Sequence, residues 1–310
     1  MAAGLALFLP AACGGSADGS AAGASELLSK VVVKGAVGAR PTLSFDTPVR
    51  LASSGWRVVT GGAGAPIRVD EQFLLQLTLV NGRTGRPAIS TLDPGQTAKV
   101  LRSSDEGLFP VLQKALVGRR QGARILVAAA ARDAFGEVGA PQYGIKPGDP
   151  LMMVADVIAV PPTRVLSGPA GTPVKPARLV PRLVERAGSV VGFRFPGKIM
   201  RKPDHLVVVP LVEGTGPPAR AASLVTIDAL GQLWGSGHVV MSTYGKEPMT
   251  FALGTGNVIR AWDRALVGVR RGSRVLVLTP PSLAFNKTGQ PPEIPGYATI
   301  AYVIDVLGVS

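Results

Sequence analysis

The 310-residue chain holds one cysteine and two histidines; aromatic residues make up 5% of it and charged residues 17%. One Cys leaves no disulfide framework, and two His with one Cys fall short of a structural zinc site, so redox and zinc chemistry drop out. No Ser/His/Asp or Cys/His set for nucleophilic catalysis is present, and no cofactor is called for. Basic runs interleaved with aromatics are missing too, so the positive excess, 33 Lys and Arg against 20 Asp and Glu, does not point to nucleic acid. Spread along the chain, this charge of +13 suits anionic lipids or acidic wall polymers, or serves solubility alone. What is abundant is Gly (39) and Pro (27), a share near the border of disorder, but 46% hydrophobic residues supply apolar surface for real cores. The length suggests two domains.

Residues 2–12, AAGLALFLPAA, form an apolar run too short for a bilayer, which needs about 20 residues, and end in small residues directly before Cys13. A Gly/Ser/Ala-rich tether follows, GGSADGSAAGAS. The arrangement resembles a bacterial lipoprotein signal (1–13) with a flexible linker (14–29), in which Cys13 is lipidated and the exported protein is anchored to the outer face of the cytoplasmic membrane. Pro10 takes the place usual for Leu, which here is Leu9. No Lys or Arg precedes residue 30, so a start upstream is expected.

The chain repeats itself. ALVGRRQGARILV at 115–127 returns as ALVGVRRGSRVLV at 265–277, and the same offset carries Ala134-Phe135 onto Ala284-Phe285 and Pro141 onto Pro291. After a one-residue slip, Ile145 matches Ile294 and Asp156-Val157 matches Asp305-Val306. Two copies of one domain are expected, at 30–160 and 191–310, joined by a Pro-rich, basic, semi-extended linker at 161–190.

In the second copy, β-branched runs bounded by turn signals predict strands at 205–212, 223–230, 249–253, 274–279 and 299–307. One stretch has helical spacing: Val258, Ile259, Trp262, Ala265 and Leu266 share a face, with Arg260, Asp263 and Arg264 opposite and Gly268 as the C-terminal cap. The first copy repeats it with Leu108, Phe109, Leu112, Ala115 and Leu116, closed by Gly118. Strands with one short helix between the third and fourth predict an α+β domain, a curved antiparallel sheet wrapped on one short helix.

The string PMTFALGTGNVIRAWDRALVGVRRGSRVLVLTPPSLAF, followed by an Ile-Pro loop and TIAYVIDVL, resembles the FKBP-type peptidyl-prolyl cis-trans isomerases over about 205–308. The first copy resembles them more weakly over about 55–160, and tandem FKBP-like domains behind a lipoprotein signal look like a group of actinobacterial exported proteins. The resemblance implies a shallow apolar pocket with Trp262 as floor and Phe251, Val258, Ile259, Phe285, Ile294 and Tyr302 as walls. It also implies isomerisation of X-Pro bonds in extracytoplasmic, Pro-containing clients, with a non-catalytic binding or chaperone module as the alternative. The family's pocket Tyr, its Phe-Asp pair, a strand Phe and a Tyr are here Ala229, Val240-Met241, Met249 and Phe285, and Tyr302 stands where the family has Phe. The first copy departs further, with Leu77, Ala88-Ile89, Leu112 and Met153, so its pocket is expected to be filled by its own side chains and activity to reside, weakly, in the second.

Other signals have plainer readings. Gly254-Thr255-Gly256 lacks the third Gly and the βαβ setting of a dinucleotide site and reads as a turn into the helix. Arg119-Arg120 and Arg270-Arg271 read as solvated turns, His205 and His238 as surface residues, and Met152-Met153 as packing.

Overall fold

The computed structural model describes residues 22–176, 179–197 and 201–310. Cys13 and the segment preceding it lie outside the described residues. In chain order the first unit comprises α1 (Ala22–Lys30), β1 (Val32–Lys34), β2 (Thr42–Ser44), β3 (Gly55–Gly61), β4 (Gln72–Asn81), β5 (Pro87–Ser90), β6 (Lys99–Arg102), α2 (Pro110–Leu116), β7 (Ala123–Ala129) and β8 (Leu151–Ala159). The second comprises β9 (Gly171–Pro173), β10 (Arg182–Arg186), β11 (Ser189–Arg194), β12 (Val207–Gly214), β13 (Leu224–Leu233), β14 (Val239–Ser242), β15 (Met249–Ala252), α3 (Arg260–Ala265), β16 (Arg274–Thr279) and β17 (Ile300–Val309).

Both units are α+β and share one antiparallel topology. The first sheet runs β3-β7-β8-β4, with β5 and β6 both pairing β4; the second runs β12-β16-β17-β13, with β14 and β15 both pairing β13. All five strands expected in the second copy form. The sixth, β14, is only four residues long, half-buried and set between turn residues, which hid it from the sequence pattern.

The helices are short because only a few residues face the sheet. In α3 these are Ala261, Trp262 and Ala265, and a helix this short depends on that packing rather than on propensity. Ile259 is not helical, as its spacing implied, but is the extended residue before the first turn (φ −58°, ψ 145°), as Phe109 is before α2.

Each sheet is covered on both faces, which a sheet wrapped on one helix does not capture. The inner faces pack on α2 and α3. The outer face of the first sheet is covered by α1 and the β1–β2 hairpin, through Leu28, Val31 and Leu43; that of the second is covered by the β10–β11 hairpin, through Val190 and Phe193. This explains why β7 and β17 are buried at every position and, apart from Arg124 and Asp305, are apolar throughout rather than alternating.

The two hairpins extend the repeat. Val32 pairs Ser44, Val33 pairs Leu43 and Lys34 pairs Thr42; Arg182 pairs Arg194, Leu183 pairs Phe193 and Val184 pairs Gly192, the same register displaced by 150. Gly38 and Gly188 also correspond, and both take positive φ (83° and 77°) in the turn. Two expectations are corrected here. Residues 161–190 are not wholly a linker, since β9 adds an edge strand to β12 and β10 lies in the hairpin. Residues 22–29 of the supposed linker lie in α1, whose Ala24 and Leu28 are buried.

Beneath each hairpin lies an Arg-Asp pair at repeat-equivalent positions. Arg124 and Asp156 face each other across β7 and β8 and are both buried, with side-chain exposures of 2% and 4%. The Arg124 guanidinium donates to the Gly35, Ala36 and Ala39 carbonyls, and the Gly38 N–H donates to Asp156, so the pair fastens the hairpin to the sheet. In the second unit Arg274 pairs with Asp305 and with Glu185 of the hairpin, and Tyr244 donates its hydroxyl to Asp305.

Candidate active site

The floor of the second unit's site is built from three rings. Trp262, in the first turn of α3, meets Phe251 of β15 at 5.9 Å between centroids (38°) and Tyr302 of β17 edge-on at 5.2 Å (84°). All three are at least 95% buried. Such aromatic contacts add about 0.5–1.5 kcal/mol each beyond burial. Tyr302 can lie where it does because Gly231 faces it in register on β13: a Cβ there would sit 2.5 Å from Tyr302 Cε1 and 3.2 Å from Met241 Cγ. Ile294 is also buried, presented by a bridge in which Gln290 and Ile294 exchange backbone hydrogen bonds.

Around this floor stand half-buried Val240 and Met241 from β14, Met249 from β15, Val258 and Ile259 before α3, and Phe285 after β16. The structure therefore gathers Phe251, Val240, Met241, Val258, Ile259, Trp262, Phe285, Ile294 and Tyr302, from six chain segments, into one apolar cluster.

Polar groups are few. Trp262 Nε1 is buried with no hydrogen-bond partner among the described residues. Burial pushes the Tyr302 phenol well above its ordinary range, so it stays a neutral O–H across physiological pH. The Ile259 carbonyl accepts from the Trp262 and Asp263 amides. Among the described residues, no three His, Cys, Asp or Glu side chains come together as a metal would require. His205 and His238 each face one carboxylate, Asp204 and Glu293.

Sequence reasoning missed Asp263. Its spacing put it on the solvent face of the helix, but its carboxylate accepts the Gly254 N–H (2.8 Å) and the Gly256 N–H (3.1 Å), tying down the loop that presents Val258 and Ile259. The signal was available in the Gly-Thr-Gly turn with an acid on the following helix. Gln113 does the same work in the first unit, donating to the Asp105 carbonyl.

The first unit does not fill its corresponding site, contrary to expectation. Leu112, Leu101 and Met153 stand where the second unit has Trp262, Phe251 and Tyr302, and a cleft of about 300 Å³ lies beside Leu101, walled by leucines and by Phe109 and Phe135, whose rings meet edge-on at 5.3 Å.

Residues 216–307 match the family model of the FKBP-type peptidyl-prolyl cis-trans isomerases. The chain is similar to the peptidyl-prolyl cis-trans isomerase FKBP2 of Mus musculus, 38% identical over 63 residues, covering 20% of this chain and 45% of that protein. It is also similar to FK506-binding protein 4 of Rhizopus delemar, 30% identical over 112 residues, covering 36% of this chain and 29% of that protein. The chain thus spans less than half the length of these relatives. Among solved structures, that of the three FKBP domains of wheat FKBP73 aligns with 83% of this chain and 95% of its own, at 18% identity and a TM-score of 0.35. Over residues 216–307, therefore, the chain carries an FKBP-type peptidyl-prolyl cis-trans isomerase domain.

Proposed function

We propose that the second domain catalyses cis-trans isomerisation of X-Pro bonds in extracytoplasmic, Pro-containing proteins, and that the first does not. The observation that carries this reading is the buried Phe251-Trp262-Tyr302 floor beneath an apolar rim. The reaction suits such a site. Rotation about an X-Pro bond faces a barrier of about 20 kcal/mol, set by amide resonance, and breaks no covalent bond. A prolyl ring seated on Trp262 brings its imide into an apolar setting, where the twisted, less resonance-stabilised amide is less disfavoured than in water. The extended backbone at Ile259 offers an edge for the peptide beside Val258, and the neutral Tyr302 hydroxyl supplies a donor close to the ring.

One feature favours a second reading, binding without turnover: Met241 holds the place of the family's pocket Asp, and Ala229 that of its Tyr. Turnover well below that of a typical family member follows from those losses. Cis-trans exchange in a proline-containing peptide, followed by NMR with catalytic amounts of the full chain, separates the two. Exchange faster than the uncatalysed rate supports the enzyme; saturable binding with unaltered exchange supports the module.

The same proposal includes export and a lipid anchor at Cys13, supported by the apolar run, the small residues before Cys13 and the Gly/Ser/Ala stretch after it. The charge of +13 supports contact with anionic lipids or wall polymers at that membrane face. Cys13→Ala should release the protein from membranes into the medium, and a variant that stays membrane-bound would contradict the anchor.

A further inference from the structure

The cleft of the first domain has a chemistry of its own. It opens between β4, β5, β6 and the turn before α2, and its walls are Leu75, Leu77, Leu79 and Leu101, with Ile89, Phe109 and Phe135. Leu75 and Leu79 are buried at its base. Among its polar lining residues, Thr91 is already engaged, its Oγ1 accepting the Leu77 N–H at 3.0 Å. That leaves Gln96 and Lys99, both exposed at the mouth, and Lys99 is the only charged residue of the lining. Of the acids in the adjoining loops, Asp93 is engaged by Arg40 at 2.7 Å and Asp105 by the Arg102 amide at 2.7 Å, while Glu106, next to Gly107 of the lining, is exposed. Among the described residues no carboxylate pairs with Lys99. The corresponding residue of the second domain is Met249, so a cation at this mouth is particular to the first.

We propose that this cleft binds an unbranched aliphatic chain with an anionic head, the chain lying among the leucines and the head against the Lys99 ammonium. Four leucines and Ile89, with Phe109 and Phe135 meeting edge-on at one side instead of forming a flat floor, conform to a flexible chain better than to a planar or saturated ring. The volume of about 300 Å³ leaves room for a medium-length alkyl chain, on the order of ten carbons. A carboxylate and a phosphate head both satisfy the ammonium.

Calorimetric titration of the full chain with decanoate, decyl phosphate, decanol and decyltrimethylammonium, all below their micellar concentrations, together with nitrogen-15 spectra of the same mixtures, tests this. Decanoate or decyl phosphate should bind one per chain and move the amide resonances of Ile89 and Leu101; the tighter of the two identifies the head group as carboxylate or phosphate. Shortening the chain should weaken binding about four-fold per methylene removed. Lys99→Met, which installs the residue of the second domain, should weaken both anions about ten-fold or more while decanol binding stays unchanged, the latter also reporting an intact cleft. Absence of binding by either anion, equal binding of anion and cation, or anion binding indifferent to Lys99→Met would overturn the proposal, as would shifts confined to the second domain.

Discussion

The two domains share strand order, helix position and even the register of the covering hairpin, yet one gathers three rings beneath its site and the other leaves a leucine-walled cleft. The difference lies in a few substitutions at equivalent positions: Leu112 for Trp262, Leu101 for Phe251, Met153 for Tyr302 and Lys99 for Met249. None of these is needed for the pairing of the strands. The fold is held by inner-face packing on the helix and outer-face packing under the hairpin, which leaves the site free to diverge.

The outer faces differ in a second way, and this provides the largest expected effect. Arg124 and Asp156 are almost wholly buried and the guanidinium also holds three hairpin carbonyls, whereas Arg274 is 13% exposed and Asp305 keeps the Tyr244 hydroxyl as a donor. Removing one partner of a buried pair typically costs about 3–5 kcal/mol. Arg124→Ala should therefore lower the stability of the first domain by about that amount and expose residues 32–44 to amide exchange, while Arg274→Ala should cost the second domain clearly less. Equal losses would mean that the deeper burial of the first pair does not set its contribution, and no loss in either variant would mean that the hairpins are not held by these pairs.

Next in size is an exchange of site character between the domains. Trp262→Leu gives the second domain the residue of the first and should lower kcat/KM for proline isomerisation about ten-fold or more, equivalent to about 1.4 kcal/mol in the barrier, with far-UV circular dichroism unchanged. Activity retained in that variant would place catalysis elsewhere.

The smallest effect concerns Asp228, which stands where the first domain has neutral Gln76. Burial, and secondarily the Asp305 charge, raise its pKa, against the Thr243 hydroxyl that lowers it. A carboxyl whose pKa is raised on folding favours the native state while protonated, below about pH 4, and that contribution is lost as pH climbs through the raised value. Asp228→Asn should consequently raise Tm slightly at pH 7 and leave it unaltered below about pH 4. A gain of the same size at both pH values would point to a cause other than titration.

How far the sequence discloses this molecule depends on the length of the element. The segment from β15 through α3 to β16 is legible because apolar spacing, Gly268 and the repeat at 115–127 agree, whereas the site side chains are implied by the family resemblance and not by spacing. The hairpins are not legible: β1, β2 and the matching part of β10–β11 share little beyond Gly38 with Gly188 and Phe45 with Phe195, and strands three residues long carry no periodicity. Nor is the cleft, since it depends on how Leu75, Leu79, Leu101 and their neighbours pack, and composition does not say whether they close over the space between them. Asp263 was misplaced for a related reason: helical spacing gives the side of a helix, not the loop amides its carboxylate can reach.

The central claim is that prolyl substrate engages the second domain on the Trp262 floor. Three indole N–H groups report on it, since Trp56 lies on β3 of the first domain, Trp234 follows β13 on the outer side of the second sheet, and Trp262 lies in the site. Nitrogen-15 spectra of the full chain, titrated with a proline-containing peptide undergoing catalysed exchange, resolve all three. The account predicts that the Trp262 indole resonance shifts with peptide concentration, Trp56 and Trp234 remaining in place. A shift confined to Trp56, or catalysed exchange with the Trp262 resonance unmoved, would contradict it.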